Sequence, residues 1–404
     1  MNDTIRPMEE AWEQGTSKNI TFIVTKDCQL ACKYCYLVGK NAKERMSFDV
    51  AKKSIDYILS NRDLFYERSV EFDFIGGEPL MEVSLIDKIC DYIKTRLFET
   101  GHPWFNAYRF CFATNGLLYG SEVVQSFVKK NRTHLSIEIT IDGTKEKHNL
   151  NRIYKDGRGS YDDVLKNIPL WLEQFPDCGT KVTISHADLP FVCESVIHLF
   201  SLGIKVVNIN VVFENVWEDG DEVIFEKQLL KLADWIIDEG YYKDCVCSFF
   251  VENIGKPLDP SLDNSNWCGS GKMLSIDSAG NFYPCTRFAG YSLREKRPII
   301  IGNCYDGINT NLLRPFLSLT RTDQSPQKCI DCEVASGCAW CQGENYDAAD
   351  TETIFQRSTA ICKMHKARVR ANNYYWNKLY RKLELENMRE EYNATHKNMT
   401  NTTC

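Results

Sequence analysis

From Asn19 to about Phe213 the chain alternates between two hydrophobic periods. Runs rich in β-branched and aromatic residues at 20–24, 70–75, 108–113, 135–141, 181–185 and 206–213 predict strands. Between them, apolar residues recur at helical spacing. The stretch that begins at Ser47, a side chain suited to cap a helix, puts Ala51, Ile55, Ile58 and Leu59 on one face. Comparable stretches cover 84–98, 122–130, 161–175 and 193–202. Six β/α units with short loops predict an α/β fold, a parallel sheet with helices outside. Right-handed crossovers curve such a sheet into a partial (β/α)6 barrel. Chemistry in barrels of this kind sits at the C-terminal ends of the strands.

A helix predicted over 221–239 leads into a different second half. After Tyr242 the periodicity fades and Gly, Pro, Asn and Cys become frequent. The pattern predicts a barrel over 1–220, a bridging region over 221–260 and a small loop-rich domain over 261–365. A polar helix over 366–392 and a disordered tail to 404 follow.

With 404 residues the chain can build two or three cored domains, and its apolar and charged fractions are ordinary for a soluble protein. A net charge of −7 argues against nucleic acid or an anionic membrane as partner. No N-terminal segment suits a signal peptide and no run approaches a membrane span, so a cytoplasmic location is expected. Without an export route, the Asn-x-Thr triplets at Asn393, Asn398 and Asn401 read as chance. Terminal Cys404 does not form a prenylation box. Eighteen cysteines then point to metal or cluster ligation rather than disulfides.

The most informative stretch is Thr25-Lys-Asp-Cys-Gln-Leu-Ala-Cys-Lys-Tyr-Cys-Tyr36, just past the first predicted strand. Cys28, Cys32 and Cys35 are spaced to hold three corners of a cubane iron–sulfur cluster, whose full set is four thiolates. The missing fourth ligand leaves a position for something that is not protein. A structural zinc knuckle is the alternative, but it normally closes its site locally. Here the next Cys is Cys90 and the first His is His102.

This Cys-x-x-x-Cys-x-x-Cys motif, with Tyr34 before the last Cys, resembles the signature of the radical S-adenosylmethionine (SAM) superfamily. The resemblance implies a TIM-like partial barrel and a 4Fe–4S cluster whose open iron takes the amino and carboxylate groups of SAM. Reductive cleavage then gives a 5′-deoxyadenosyl radical that removes hydrogen from substrate. Gly76-Gly-Glu-Pro79 follows the second strand and matches the superfamily's Gly-Gly-Glu element, which implies contact of Gly76, Gly77 and Glu78 with SAM. Thr114-Asn-Gly116 and Thr140-Ile-Asp-Gly143 resemble turns that line the pocket in relatives, implicating Asn115, Thr140 and Asp142. Arg152 is placed to pair with the SAM carboxylate. Ser185, Asn208 and Asn210 are polar positions in apolar runs and candidates to face the pocket.

The second cysteine field, Cys268, Cys285, Cys329, Cys332, Cys338, Cys341 and Cys362, resembles the SPASM domain of peptide-modifying radical SAM enzymes. One spacing departs from that family: two residues, Ala339-Trp340, stand where three are usual. The resemblance implies two auxiliary 4Fe–4S clusters. One takes Cys268, Cys285 and Cys341, with a fourth ligand from Cys247 or Cys245 or an iron left open. The other takes Cys329, Cys332, Cys338 and Cys362. Paired zinc ribbons are the alternative. Cys90, Cys111, Cys178 and Cys193 read as buried core thiols, and Cys304 is ambiguous.

Three chemistries share this layout. Formylglycine-forming sulfatase maturases carry an Asp directly after the Cys matching Cys285, where this chain has Thr286. Carbon–carbon crosslinking maturases offer no distinguishing motif here. The runs Gly337-Cys-Ala-Trp-Cys-Gln-Gly-Glu-Asn-Tyr-Asp347 and Ile361 to Tyr375 resemble the sactipeptide and ranthipeptide maturases of Cys-x-x-x repeat precursors. That resemblance implies thioether formation between Cys sulfur and a carbon of an acceptor such as Asp or Glu. It also implies a precursor peptide and a flavodoxin- or ferredoxin-type electron donor as partners. Glu333, Glu344 and Asp347 are candidate bases. A zinc or iron–sulfur protein that binds peptides without chemistry is the non-enzyme alternative.

Overall fold

The computed structural model describes residues 17–40, 42–259, 264 and 268–400, with side chains as far as 389. Six parallel strands form where the alternation places them: β1 Lys18–Thr25, β2 Val70–Gly76, β3 Tyr108–Thr114, β4 Leu135–Ile139, β5 Thr180–Ile184 and β6 Val206–Val211. The helices between them are α1 Phe48–Ser60, α2 Val83–Glu99, α3 Glu122–Asn131, α4 Lys145–Asn151, α5 Tyr161–Leu165, α6 Ile168–Gln174 and α7 Val192–Ser201. Ser47 caps α1 as expected, its hydroxyl accepting from the Val50 amide at 3.2 Å, a contact worth about 1 kcal/mol. The single helix expected over 161–175 is broken in two. Pro169 has no amide to continue the ladder and its ring crowds the preceding turn, so α6 starts afresh with Pro169 in its first turn.

The six strands do not share one continuous ladder. Strands β1 to β4 belong to one sheet, and β5 and β6 belong to another with the short parallel strand β7 Val246–Cys247. Thr180 bridges the seam, its hydroxyl donating to the Ile139 carbonyl at 2.7 Å and accepting from the Ile141 amide at 3.1 Å. A second departure lies on the other edge. β8 Leu274–Ile276 pairs in parallel with β1, and β9 Asn281–Tyr283, β10 Gly302–Asn303 and β11 Gly307–Ile308 continue the sheet antiparallel. The region expected as a separate small domain therefore begins as an extension of the barrel sheet.

Outward positions are aromatic and buried: Phe72, Phe74, Phe110 and Phe112 pack in a row, and Phe112 meets Phe127 of α3 edge-on at 5.6 Å. The alternate positions, Glu71, Asp73, Cys111 and Glu138, are only partly covered and share the concave side. Burial and the Glu71 carboxylate push Asp73 up to about 7. Cys111 and Cys178 thus stand at half-buried positions rather than in the core, whereas Cys90 and Cys193 are fully buried.

α8 Asp221–Asp238 packs against α7 and against the long helix α11, which follows α9 Thr310–Ser318 and α10 Gln342–Asp347. α11 runs from Cys362 to Thr400, so the helix starts earlier than its polarity pattern suggested and continues through the segment expected as a disordered tail. Ion pairs Arg370–Glu226 at 2.5 Å and Lys378–Asp234 at 2.8 Å tie it to α8. Asn401 and Cys404 lie outside the described residues, as do the side chains of Asn393 and Asn398. No described helix is long and apolar enough to cross a membrane.

Candidate active site

The loop after β1 carries Cys28, Cys32 and Cys35 across the C-terminal end of the barrel, where it meets the end of β2. The Gly77 amide donates to the Thr25 carbonyl at 2.9 Å and the Glu78 amide to the Asp27 carbonyl at 2.8 Å. A Cβ on Gly77 would stand 2.1 Å from the Asp27 carbonyl, and one on Gly76 2.2 Å from that of Thr25. Both glycines are needed for the two backbones to approach this closely. They bring Glu78 beside the first cysteine.

Glu78 is buried. It accepts from the Thr114 hydroxyl at 2.6 Å, the Leu80 amide at 3.0 Å and the Asn115 amide at 2.8 Å. Burial raises its pKa and those three donors oppose the rise. Asn115 lies 3.9 Å from the Cys28 sulfur, and burial together with Glu78 pushes the Cys28 thiol up to about 11. Burial also raises Cys32, against the opposing charge of Arg152.

Opposite, Tyr34 donates to the Asp142 carboxylate at 2.5 Å and accepts from Arg152 at 3.0 Å. The buried Arg152 Nε has no protein partner. Asp142 is fully buried and faces Tyr34 and Lys147 rather than open space. Thr140 is half-buried, its amide bonded to the Thr114 carbonyl at 2.9 Å. Behind this layer, Lys147 is wholly enclosed, 3.4 Å from Asp142 and 3.8 Å from Asp188, and donates to the Thr183 carbonyl at 2.7 Å. Asp188 in turn accepts from Ser185 and Asn151. Lys147 and Asp188 were missed from sequence because nothing in a lone Lys or Asp distinguishes a buried pair from a solvated one.

A cavity of about 400 Å³ opens above this layer, lined by Tyr34, Cys35, Ser185, His186, Glu214 and Arg294 among others. Ser185 therefore faces the pocket. Asn208 instead reaches Glu138 at 3.4 Å, and Asn210 lines a separate small pocket beside Arg368. Arg287 lies over the Tyr36 ring and bonds Glu214 and Glu344, each at 2.9 Å. Of the bases considered, Glu344 is buried between Arg287 and Arg294, Asp347 accepts the amides of 294–296, and Glu333 is exposed.

The second cysteine field separates into two groups. Burial, then the Cys341 and Cys268 thiols, push Cys285 up. Cys329, Cys332, Cys338 and Cys362 ring a second cavity of about 110 Å³ with Arg357, which donates to the Cys338 sulfur at 3.1 Å. Burial pushes Cys338 up to about 11. Cys247, the expected fourth ligand of the first group, has other neighbours. Its thiol lies on β7, where burial pushes it up to about 12, with the Phe249 amide and Arg368 as its neighbours. Among the described residues no three His, Cys, Asp or Glu side chains converge as ligands of a single ion. Four thiols around one cavity match the four-thiolate set of a cubane cluster. The orphaned Arg152 Nε and the thiol-ringed cavity likewise suit the groups implied by the motifs.

Residues 22–187 match the radical SAM superfamily. The chain is 23% identical to the serine-type anaerobic sulfatase-maturating enzyme of Bacteroides thetaiotaomicron, over 77% of this chain and 78% of that one. Among solved structures, anSMEcpe with bound AdoMet is similar with a TM-score of 0.66 and 17% identity, covering 89% of this chain and 99% of that one. SuiB of Streptococcus suis bound to precursor peptide SuiA is similar with a TM-score of 0.56 and 13% identity, covering 87% and 78%.

Proposed function

We propose that the chain, whose residues 22–187 match the radical SAM superfamily, is a radical SAM enzyme that matures a ribosomally made, Cys-rich precursor peptide by installing thioether crosslinks. The observation that carries this reading is the position of the large cavity. It lies between the Cys35 loop and Arg294 of the cysteine-rich region, wide enough for peptide side chains and open to solvent.

In this reading Cys28, Cys32 and Cys35 hold the SAM-binding 4Fe–4S cluster. Glu78, Asn115 and Arg152 face SAM with Gly76 and Gly77, while Thr140, Tyr34 and Asp142 shape the pocket wall. Cys268, Cys285 and Cys341 hold one auxiliary cluster, and Cys329, Cys332, Cys338 and Cys362 the other. The cluster and SAM together supply a 5′-deoxyadenosyl radical when reduced by a flavodoxin- or ferredoxin-type donor. In the substrate one C–H and one S–H bond break and one C–S bond forms. The hydrogen atom would leave in deoxyadenosine, the thiol proton would go to a base of this chain, and the remaining electron would be taken up by an auxiliary cluster held by the later cysteines. The protein's share is to hold the peptide, exclude water and take the proton.

A second reading, formylglycine formation, is favoured by the likeness to sulfatase maturases. Against it, Thr286 stands where those enzymes place an Asp, and its hydroxyl is 3.0 Å from that of Ser275. The test is anaerobic: reconstitute with iron and sulfide, add SAM, reductant and a Cys-x-x-x repeat peptide, and read mass with free thiols. Two hydrogens lost and one thiol consumed per event, without a disulfide, supports the thioether. Two hydrogens lost with every thiol free overturns it in favour of a carbon–carbon or carbon–oxygen link. A hydroxylamine-reactive aldehyde in place of Ser or Cys supports the second reading.

A further inference from the structure

Thioether formation requires a proton acceptor beside the peptide thiol, which is mostly protonated at neutral pH, with an ordinary pKa of about 8.5. The cavity holds two candidates at the C-terminal ends of adjacent strands, Glu214 after β6 and His186 after β5. Glu214 is committed to cations: one oxygen is 2.9 Å from Arg287 and 3.9 Å from Arg294. His186 is arranged differently. Its Nδ1 lies 2.9 Å from both oxygens of Asp221, the first residue of α8. The Asp221 side chain is only 3% exposed and is itself fixed by the Glu218 amide at 2.8 Å. A carboxylate can only accept, so Nδ1 carries the hydrogen and the Nε2 lone pair is left free. Nε2 lies 3.8 Å from Glu218, whose side chain is mostly exposed, and the ring lines the cavity. A base held in one tautomer by a carboxylate behind it is the arrangement that activates a nucleophile.

We propose that His186, oriented by Asp221, is the base that accepts the proton from the substrate Cys thiol. This rests on the thioether reading. The S–H bond breaks, its electron pair stays on sulfur, and the proton goes to Nε2, giving an imidazolium that the Asp221 carboxylate stabilises. Asp221 raises the His186 pKa above its ordinary value, closer to that of the thiol it serves. The other charged groups around this cavity are Glu218, beside Nε2, and Lys33, Glu214 and Arg294 across it.

The test uses the full reconstituted chain with a synthetic Cys-x-x-x repeat peptide, comparing wild type, His186→Gln and Asp221→Asn from pH 6 to 9. The reading is thioether product per deoxyadenosine formed. For His186→Gln this ratio is expected to fall at least tenfold at pH 7 and to recover toward pH 9, where the thiol ionises unaided. Imidazole NMR of the full chain is expected to show His186 titrating at lower pH in Asp221→Asn, with an intermediate product ratio. A wild-type ratio in His186→Gln at pH 7, or a loss that does not recover at pH 9, overturns the role. So does a His186 titration that Asp221→Asn leaves in place, which reads out even if His186→Gln folds poorly. If wild type itself leaves every peptide thiol free, the thioether reading fails first and this role falls with it.

Discussion

Arg287 lies with its guanidinium 4.7 Å from the centre of the Tyr36 ring, joining the residue after Cys35 to the region after Cys285. The same guanidinium bonds Glu214 from the barrel and Glu344 from α10; burial opposes its charge, but Cys341, Glu214 and Glu344 hold its pKa above the ordinary arginine value. One side chain thus ties the barrel mouth to the region of the later cysteines. Arg287→Ala strands the buried Glu344, which retains only Arg294. A loss of about 3 kcal/mol in denaturant unfolding is expected. Arg287→Lys recovers part of it, because lysine keeps the charge but not the planar fork.

His148 receives the Asp142 amide at 3.2 Å and lies 3.0 Å from the Ser160 hydroxyl, wholly enclosed. Burial and Arg152 hold its pKa down to about 3. The unfolded chain binds a proton there from about pH 6.5 downward, while the folded chain does not until about pH 3. Its contribution is therefore fully present above pH 6.5 and lost as pH falls. In His148→Gln the acid limb of stability against pH should flatten by about 1.4 kcal/mol per pH unit between pH 6 and 4. An unchanged slope would mean the imidazole is solvated.

Asp73 titrates with the opposite sign. Its pKa is raised to about 7, so the folded chain holds a proton that the unfolded chain releases near 3.8. Stability falls as pH rises through that window and stays low above it. Asp73→Asn is expected to gain about 2 kcal/mol over wild type at pH 8 and nothing at pH 4, read from unfolding midpoints at each pH.

These two groups show what the sequence displays and what it withholds. The alternation Val70-Glu-Phe-Asp-Phe74 announces both a strand and a polar inner face. The glycines of Gly76-Gly77 carry their own reason, since no side chain fits between the two strand ends. The late cysteines are visible as a field in the sequence, and the structure puts Cys285 beside Cys341 and Cys268, and Cys329, Cys332, Cys338 and Cys362 around one cavity. What was not legible depends on partners distant in sequence. Nothing near Leu274–Ile276 announces that this strand pairs with β1, more than 250 residues earlier. The Thr180 seam and the His186–Asp221 pair are likewise tertiary, and so are the neighbours of Cys247, which the resemblance makes a candidate ligand by its place upstream of Cys268.

Lys147 between Asp142 and Asp188 is such a tertiary group. Lys147→Met leaves two buried carboxylates facing each other and is expected to cost about 3–5 kcal/mol. Adding Asp188→Asn removes one of those charges. The double variant should therefore be more stable than the single one, measured by the same unfolding midpoint. A double variant that is weaker still would show that Asp188 acts through Ser185 and Asn151 rather than through the lysine.

The cysteine groups make the sharpest distinction, because each predicts which thiols carry iron. Cys338 shares its cavity with Cys329, Cys332 and Cys362, so Cys338→Ala should lower iron and sulfide by about four atoms each per chain after anaerobic reconstitution. Cys341→Ala should remove a similar amount from the other group, with the signal of the remaining clusters retained in electron paramagnetic resonance. Cys247 is the control. Its thiol faces Arg368 and the Phe249 amide, so Cys247→Ala should leave iron content unchanged. Iron lost from Cys247→Ala but not from Cys341→Ala would mean that the first auxiliary site is assembled from β7 after all, and that the pairing of Cys341 with Cys285 and Cys268 is packing alone.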